Sequence, residues 1–166
     1  MTKSETCFFS GHRIMEKKEI ALAKSLLREE ILNRINEGVT RFIVGGAIGF
    51  DAMAAEAVID IRNDYDEIRL CLYLPCKNHF ARWNEAEQER FFEISENADE
   101  IKYITEGTYF PGCMRKRNSA MISDSDCGIV YLTKRINSGS AQTVKFAKEK
   151  GIPFVNIVDE MKKYLN

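Results

Sequence analysis

The stretch that decides the fold is Arg41-Phe42-Ile43-Val44-Gly45-Gly46-Ala47-Ile48-Gly49-Phe50-Asp51. An apolar run of strand length ends in three glycines within five positions and leads straight into a helical pattern. Residues 41–45 read as a strand. Residues 50–62 read as a helix with Phe50, Ala54, Ala57, Val58 and Ile61 on one face. Strand, tight turn and helix in that order form the unit from which parallel sheets are built.

Outward from this unit the alternation continues. Upstream, residues 6–10 form a strand ended by Gly11. Residues 17–37 form a helix whose apolar stripe runs Ile20, Ala23, Leu27, Ile31, Ile35, with Gly38 as its stop. Downstream, strands are expected at residues 68–74, 100–104, 128–132 and 153–158, and helices at 84–96 and 114–123. A turn at Asn137-Ser138-Gly139-Ser140 opens a further helix, and Asp159 is placed as the cap of a last short one. The expected fold class is α/β: one Rossmann-like domain over residues 1–166, a mostly parallel sheet of about six strands with helices on both faces.

Composition narrows the function classes. Hydrophobic residues at 45% and charged residues at 30% are those of a globular chain. A net charge of -1 supplies no global field, which counts against nucleic acid as a partner. The opening Met1-Thr2-Lys3-Ser4-Glu5-Thr6 has no signal-peptide character, and no run reaches membrane-spanning length. Cys7, Cys71, Cys76, Cys113 and Cys127 show no Cys-x-x-Cys spacing and fit reduced thiols. A cytoplasmic location is expected, with no membrane partner. With two histidines no metal site is expected, no cofactor is called for, and the sequence admits a homo-oligomer.

In open parallel sheets ligands bind beyond the carboxyl ends of the strands, where helix N-termini offer unpaired N–H groups. The unusual clusters all fall on that edge. Ser10-Gly11-His12-Arg13 follows the first strand: either Gly11 admits backbone to a ligand while His12 and Arg13 meet phosphate or a base, or the segment is a solvated turn. Gly45, Gly46 and Gly49 permit a row of exposed N–H groups, but lack both the dinucleotide fingerprint and the Gly-Lys-Ser/Thr ending of a P-loop. Asp51 is either a helix-start carboxylate or a ribose-hydroxyl acceptor.

Asn118 in Arg115-Lys116-Arg117-Asn118 shares a helical face with Met114, Met121 and Ile122. It therefore looks inward and needs partners, in a loop or a ligand. Gly139 and Ser140 could cradle a phosphate at a helix start. The loop over residues 75–83, with Lys77, His79, Arg82 and Trp83, is either a cationic and aromatic lid or simply packed on the core.

Taken in order, Phe9-Ser10-Gly11-His12-Arg13, the glycine turn through Asp51, Leu74-Pro75-Cys76-Lys77, Trp83, Arg117-Asn118-x-x-Met121, Asp126 and Ser138-Gly139-Ser140-Ala141 resemble the YpsA-like family (domain of unknown function 1273). That group is similar to the SLOG superfamily, which joins the DprA/Smf proteins with the Lonely Guy enzymes. The resemblance implies a Rossmann-like fold and binding of nucleotides, nucleotide sugars or nucleic acid. Lonely Guy phosphoribohydrolases carry Arg-Lys-x-x-Met and Pro-Gly-Gly-x-Gly-Thr-x-x-Glu. Arg117, Met121 and Gly139-Ser140 match, whereas Asn118 stands for the lysine and Thr143 for the catalytic glutamate. Without that carboxylate the positive charge developing on the sugar goes unstabilised.

The leading expectation is therefore a module that binds or senses a small nucleotide-derived ligand. Gly11, His12, Arg13, Gly45, Gly46, Gly49 and Asp51 lie on one side, and Arg117, Asn118, Gly139 and Ser140 on the other. The runner-up is a nucleotide N-glycosidase using Asp51 and Arg117 as candidate catalytic residues; DprA-like DNA binding stands third.

Overall fold

Six short apolar runs become six strands: β1 (Glu5–Gly11), β2 (Val39–Val44), β3 (Arg69–Leu74), β4 (Glu100–Tyr103), β5 (Cys127–Tyr131) and β6 (Phe154–Asn156). Six helices separate or follow them: α1 (Lys17–Asn36), α2 (Phe50–Arg62), α3 (Glu85–Asn97), α4 (Cys113–Ser123), α5 (Gly139–Glu149) and α6 (Ile157–Met161). The computed structural model describes residues 5–133 and 138–165, so Asn137 of the turn expected before α5 lies outside the described residues.

Every strand pairing is parallel, in the order β4-β3-β2-β1-β5-β6. A purely parallel sheet must be covered on both faces, and the strand residues alternate accordingly. Cys7, Phe9, Phe42, Val44, Leu70 and Leu72 pack in one cluster with residues of α1, α2, α3 and α6. Phe8, Ile43, Cys71, Tyr73 and Val130 pack in the other with Met121 and Ile122 of α4 and Val144 and Ala147 of α5. This is the Rossmann-like α/β architecture that the strand and helix periodicities predict. Val155 is half-buried because β6 forms a sheet edge.

Helix ends follow local chemistry. Gly38 takes φ 105° after α1, a conformation that suits glycine. Asn84 and Glu87 form a reciprocal capping box at α3, with bonds of 2.8 and 3.0 Å. The cap expected of Asp159 is made instead by Asn156, whose Oδ1 accepts from Val158 N–H at 3.1 Å. Asp159 falls within the first turn, too late for that role. Asn156 also donates to the Leu132 carbonyl at 2.9 Å, tying α6 to the end of β5. No helix among the described residues is long and apolar enough to cross a membrane.

The chain winds outward from β1 to β4, then crosses back to lay β5 on the other side of β1. The connections leaving β1 and β5 diverge at their carboxyl ends, so a crevice opens at this switch point.

Candidate functional site

A hollow of about 330 Å³ occupies that crevice. The turn after β1 contributes Gly11, His12 and Arg13, and the turn after β2 contributes Gly45 and, at the start of α2, Asp51. From α4 come Arg117 and Asn118, and from α5 Gly139 and Ser140. Residues more than a hundred positions apart are thus brought together. Gly46 and Gly49 do not join them and line a neighbouring hollow instead.

Arg117 is buried at the centre. Its Nη1 donates to the Gly45 carbonyl, its Nε to Asn118 Oδ1 at 2.8 Å, and its Nη2 lies 3.8 Å from the Met114 sulfur. Burial pushes the guanidinium below its ordinary pKa, and the charge of Asp51 acts the other way. A Cβ on Gly45 would come within 2.7 Å of Arg117 Nη1 and 3.1 Å of Asp51 Oδ2, so the missing side chain makes room for both groups.

Burial pushes the Asp51 carboxyl up to about 6, against the lowering effects of Arg117 and of the Ala47 N–H, which donates to Oδ2 at 3.2 Å. Asp51 does not cap α2, whose N-cap is Gly49; it reaches back and holds the glycine turn. Asn118 faces inward as its helical spacing predicts, and its amide reaches Gln142 Oε1 at 3.4 Å. It links Arg117 to α5.

His12 Nε2 accepts from Thr133 N–H at 2.9 Å and lies 3.0 Å from Thr133 Oγ1, which places the proton of the neutral ring on Nδ1. At α5, Ser138 Oγ accepts from Ala141 N–H at 3.0 Å and the Ser138 carbonyl from Gln142 N–H at 3.1 Å. Among the described residues no acceptor meets the N–H groups of Gly139 and Ser140, and a Cβ on Gly139 would have nothing within 4 Å. Two amides at the positive end of a helix thus border the hollow that Arg117 lines. Thr143 is buried and donates back to the Gly139 carbonyl at 3.0 Å.

Three of the glycines have packing reasons. A Cβ on Gly11 would strike the Phe50 ring, one on Gly46 the Leu74 side chain, and one on Gly49 the Arg13 carbonyl. Gly49 also sits at φ 76°. The residue that sequence reasoning left inside a loop is His79. Its Nε2 donates to the Gly46 carbonyl at 3.1 Å, and its ring meets Trp83 and Phe91 edge-on at 5.2 and 4.9 Å. Burial lowers its pKa to about 4, so the ring is neutral near pH 7. The 75–83 loop is packed by this cluster, and Trp83 forms part of the wall of the second hollow.

Comparison with known proteins adds to this geometry. The family described as YspA SLOG family (YpsA) matches residues 5–154. A UPF0398 protein of Staphylococcus haemolyticus is 25% identical over 160 residues, covering 92% of this chain and 83% of that protein. One of Halalkalibacterium halodurans is 31% identical over 122 residues, covering 73% of this chain and 64% of that protein. DNA processing protein A of Helicobacter pylori superposes with a TM-score of 0.65 at 20% identity, over 96% of this chain and 72% of that one. DNA processing protein A of Streptococcus pneumoniae gives 0.62 at 14%, over 91% and 49%. The chain thus spans about half the length of the pneumococcal protein, and these identities make the likeness one of fold.

The Helicobacter protein is described by its single-stranded DNA binding mode. A protein of this fold therefore binds nucleic acid, and net charge does not count against nucleic acid as a partner, contrary to the expectation above. The net charge sums the whole chain and is blind to where the cations stand. The profile match over most of the residues, together with the UPF0398 relatives, leaves no doubt of kinship: the chain belongs to the YpsA family of SLOG proteins.

Proposed function

We propose that the hollow at the switch point binds the phosphate and sugar of a nucleotide-derived ligand. The observation that carries this reading is the convergence on one small hollow of buried Arg117, the buried Asp51 carboxyl and two α5 amides that no described residue accepts from. Phosphate lies against the Gly139 and Ser140 amides with the Arg117 charge behind it. Asp51 is the sugar-hydroxyl acceptor. Binding rather than hydrolysis is supported by Thr143, whose hydroxyl is committed to its own helix where the Lonely Guy pattern has a carboxylate.

The test is a thermal-shift panel of nucleoside 5′-mono- and diphosphates and ADP-ribose. A ligand at a hundred times its Kd should raise the Tm by roughly 5–10 °C, and Arg117→Lys should reduce that shift. A flat panel with folded protein overturns the reading. Free-base release from a monophosphate at an ordinary enzymatic rate, lost in Asp51→Asn, would replace it with the hydrolase reading.

One surface favours a second reading, single-stranded DNA. Outside the hollow's lining, Lys77 Nζ stands 4.2 Å from the Tyr103 ring centre, Lys116 Nζ 5.5 Å from Phe110, and the Arg115 guanidinium 5.3 Å from Phe146. Tyr103, Tyr109 and Phe110 are exposed. Rings that stack bases beside cations that follow the backbone are what sequence-tolerant single-strand binders use. Anisotropy titration with a labelled oligothymidylate separates the readings. Binding that weakens steeply with salt and is reduced in Tyr109→Ala supports the strand.

A further inference from the structure

A second hollow, about 490 Å³, opens beside the first and shares Arg13, Ala47 and Asp51 with it. Its interior is formed by Val44 and Leu72 from the strand ends, Met53 of α2, Phe91 of α3, Trp83 and Met15. Close-packed interiors leave few voids larger than a water, whereas a lined hollow of this volume falls in the range of small-molecule sites. Trp83 and Phe91 stand perpendicular at 5.8 Å, and the wall is further braced by His79 holding the Gly46 carbonyl. The first hollow offers a guanidinium, a carboxyl and helix amides; the second offers rings and two thioethers, with Lys24, Glu87 and Arg90 also in its lining. The two meet at Asp51, which the reading above makes the sugar contact.

Resting on that reading, we infer that the second hollow receives the uncharged planar base of the same ligand, whose sugar crosses the Arg13–Ala47–Asp51 junction. The ligand class is then narrower than a phosphorylated sugar. It must carry an anionic end and a flat heteroaromatic ring on opposite sides of one sugar. Sulfur and aromatic edges are favourable neighbours for such a ring.

Trp83 is the only tryptophan of the chain and stands in this wall, so its emission reports on the second hollow directly. The full chain is titrated with AMP, GMP, CMP and UMP, with the matching nucleosides, and with ribose 5-phosphate. Emission and calorimetry are recorded together. At least one monophosphate should change the Trp83 emission with the calorimetric Kd and bind at least tenfold more tightly than ribose 5-phosphate, which leaves the emission unchanged. Ala55→Leu adds bulk to the second hollow alone, and should weaken that monophosphate tenfold or more while sparing ribose 5-phosphate. Met53→Phe serves if Ala55→Leu does not fold, and the wild-type titration decides by itself in either case.

A monophosphate that binds with silent Trp83, no more tightly than ribose 5-phosphate, overturns the placement of the base and leaves the phosphate reading intact. A nucleoside that shifts Trp83 while no monophosphate binds overturns the link between the hollows and removes the phosphate reading. No binding by any probe overturns both.

Discussion

The glycine turn at residues 45–49 and the Ser138-Gly139-Ser140 start of α5 each set small residues at the opening of a helix, yet they are built on opposite terms. In the first, Gly46 and Gly49 have positive φ, and a Cβ on either would strike Leu74 or the Arg13 carbonyl. Its Ala47 N–H is already taken by Asp51. In the second, the Cβ site of Gly139 is empty space and the first two amides of the helix have no acceptor among the described residues. The glycines of the first turn are thus packing devices, their missing Cβ positions filled by neighbours, whereas the space at Gly139 stays open.

The largest expected effect breaks the first turn. Gly49→Ala carries an L side chain at φ 76° and drives a methyl into a backbone carbonyl that cannot swing aside. A loss on the order of 3 kcal/mol, or a Tm lower by roughly 6–12 °C, is expected by calorimetric melting. A melting point within a degree of wild type would refute the packing role.

Next come two titratable groups bonded to this turn, buried Asp51 at the Ala47 N–H and half-buried His79 at the Gly46 carbonyl. Asp51 is raised to about 6. Its contribution to stability is complete below the ordinary carboxylate pKa of about 4 and is lost as pH rises through 6. His79 is lowered to about 4. Its contribution is complete above the ordinary imidazole pKa of about 6.5 and is lost as pH falls through 4. Each is worth on the order of 2–3 kcal/mol, and in the wild type they offset one another across that window. Denaturant titrations of Asp51→Asn should show stability rising from pH 4 to 6.5, and those of His79→Gln should show it falling. Parallel profiles for the two variants would contradict the assignment.

A smaller effect sharpens the role of Gly45. Gly45→Ala pushes on the end of the Arg117 side chain, which can yield, so stability should fall by only about 1 kcal/mol. Because Arg117 is displaced, affinity for the responding nucleotide should fall about tenfold by calorimetric titration. The smallest expected effect concerns Gly139→Ala, where the open Cβ site predicts a stability change within about 0.5 kcal/mol. A loss as large as that of Gly49→Ala would erase the distinction between the turns.

Periodicity made the sheet and its helices legible, because stripes such as Ile20, Ala23, Leu27 and Ile31 are imposed by burial itself. The inward turn of Asn118 was readable in the same way. What the linear order hid was set by tertiary contact. Gly11, Gly46 and Gly49 read as approach points for a ligand, and their linear order does not show that Phe50, Leu74 and Arg13 pack against them. His79 reads as a loop polar residue, since its acceptor, the Gly46 carbonyl, lies 33 positions away. Asp159 has capping chemistry, but register gave the role to Asn156. Clustering of cations beside rings is likewise invisible to a net charge, so composition alone does not count against nucleic acid.

The central claim, a phosphate seat between Arg117 and the start of α5, is most directly read from amide chemical shifts. In ¹H–¹⁵N spectra of the full chain, titration with the nucleotide found by thermal shift should move the Gly139 and Ser140 amides most, with Gly45 close behind. Gly107, on the far loop, should stay fixed. Saturable binding that leaves Gly139 and Ser140 unmoved, or that confines its shifts to residues 103–110, would contradict the account.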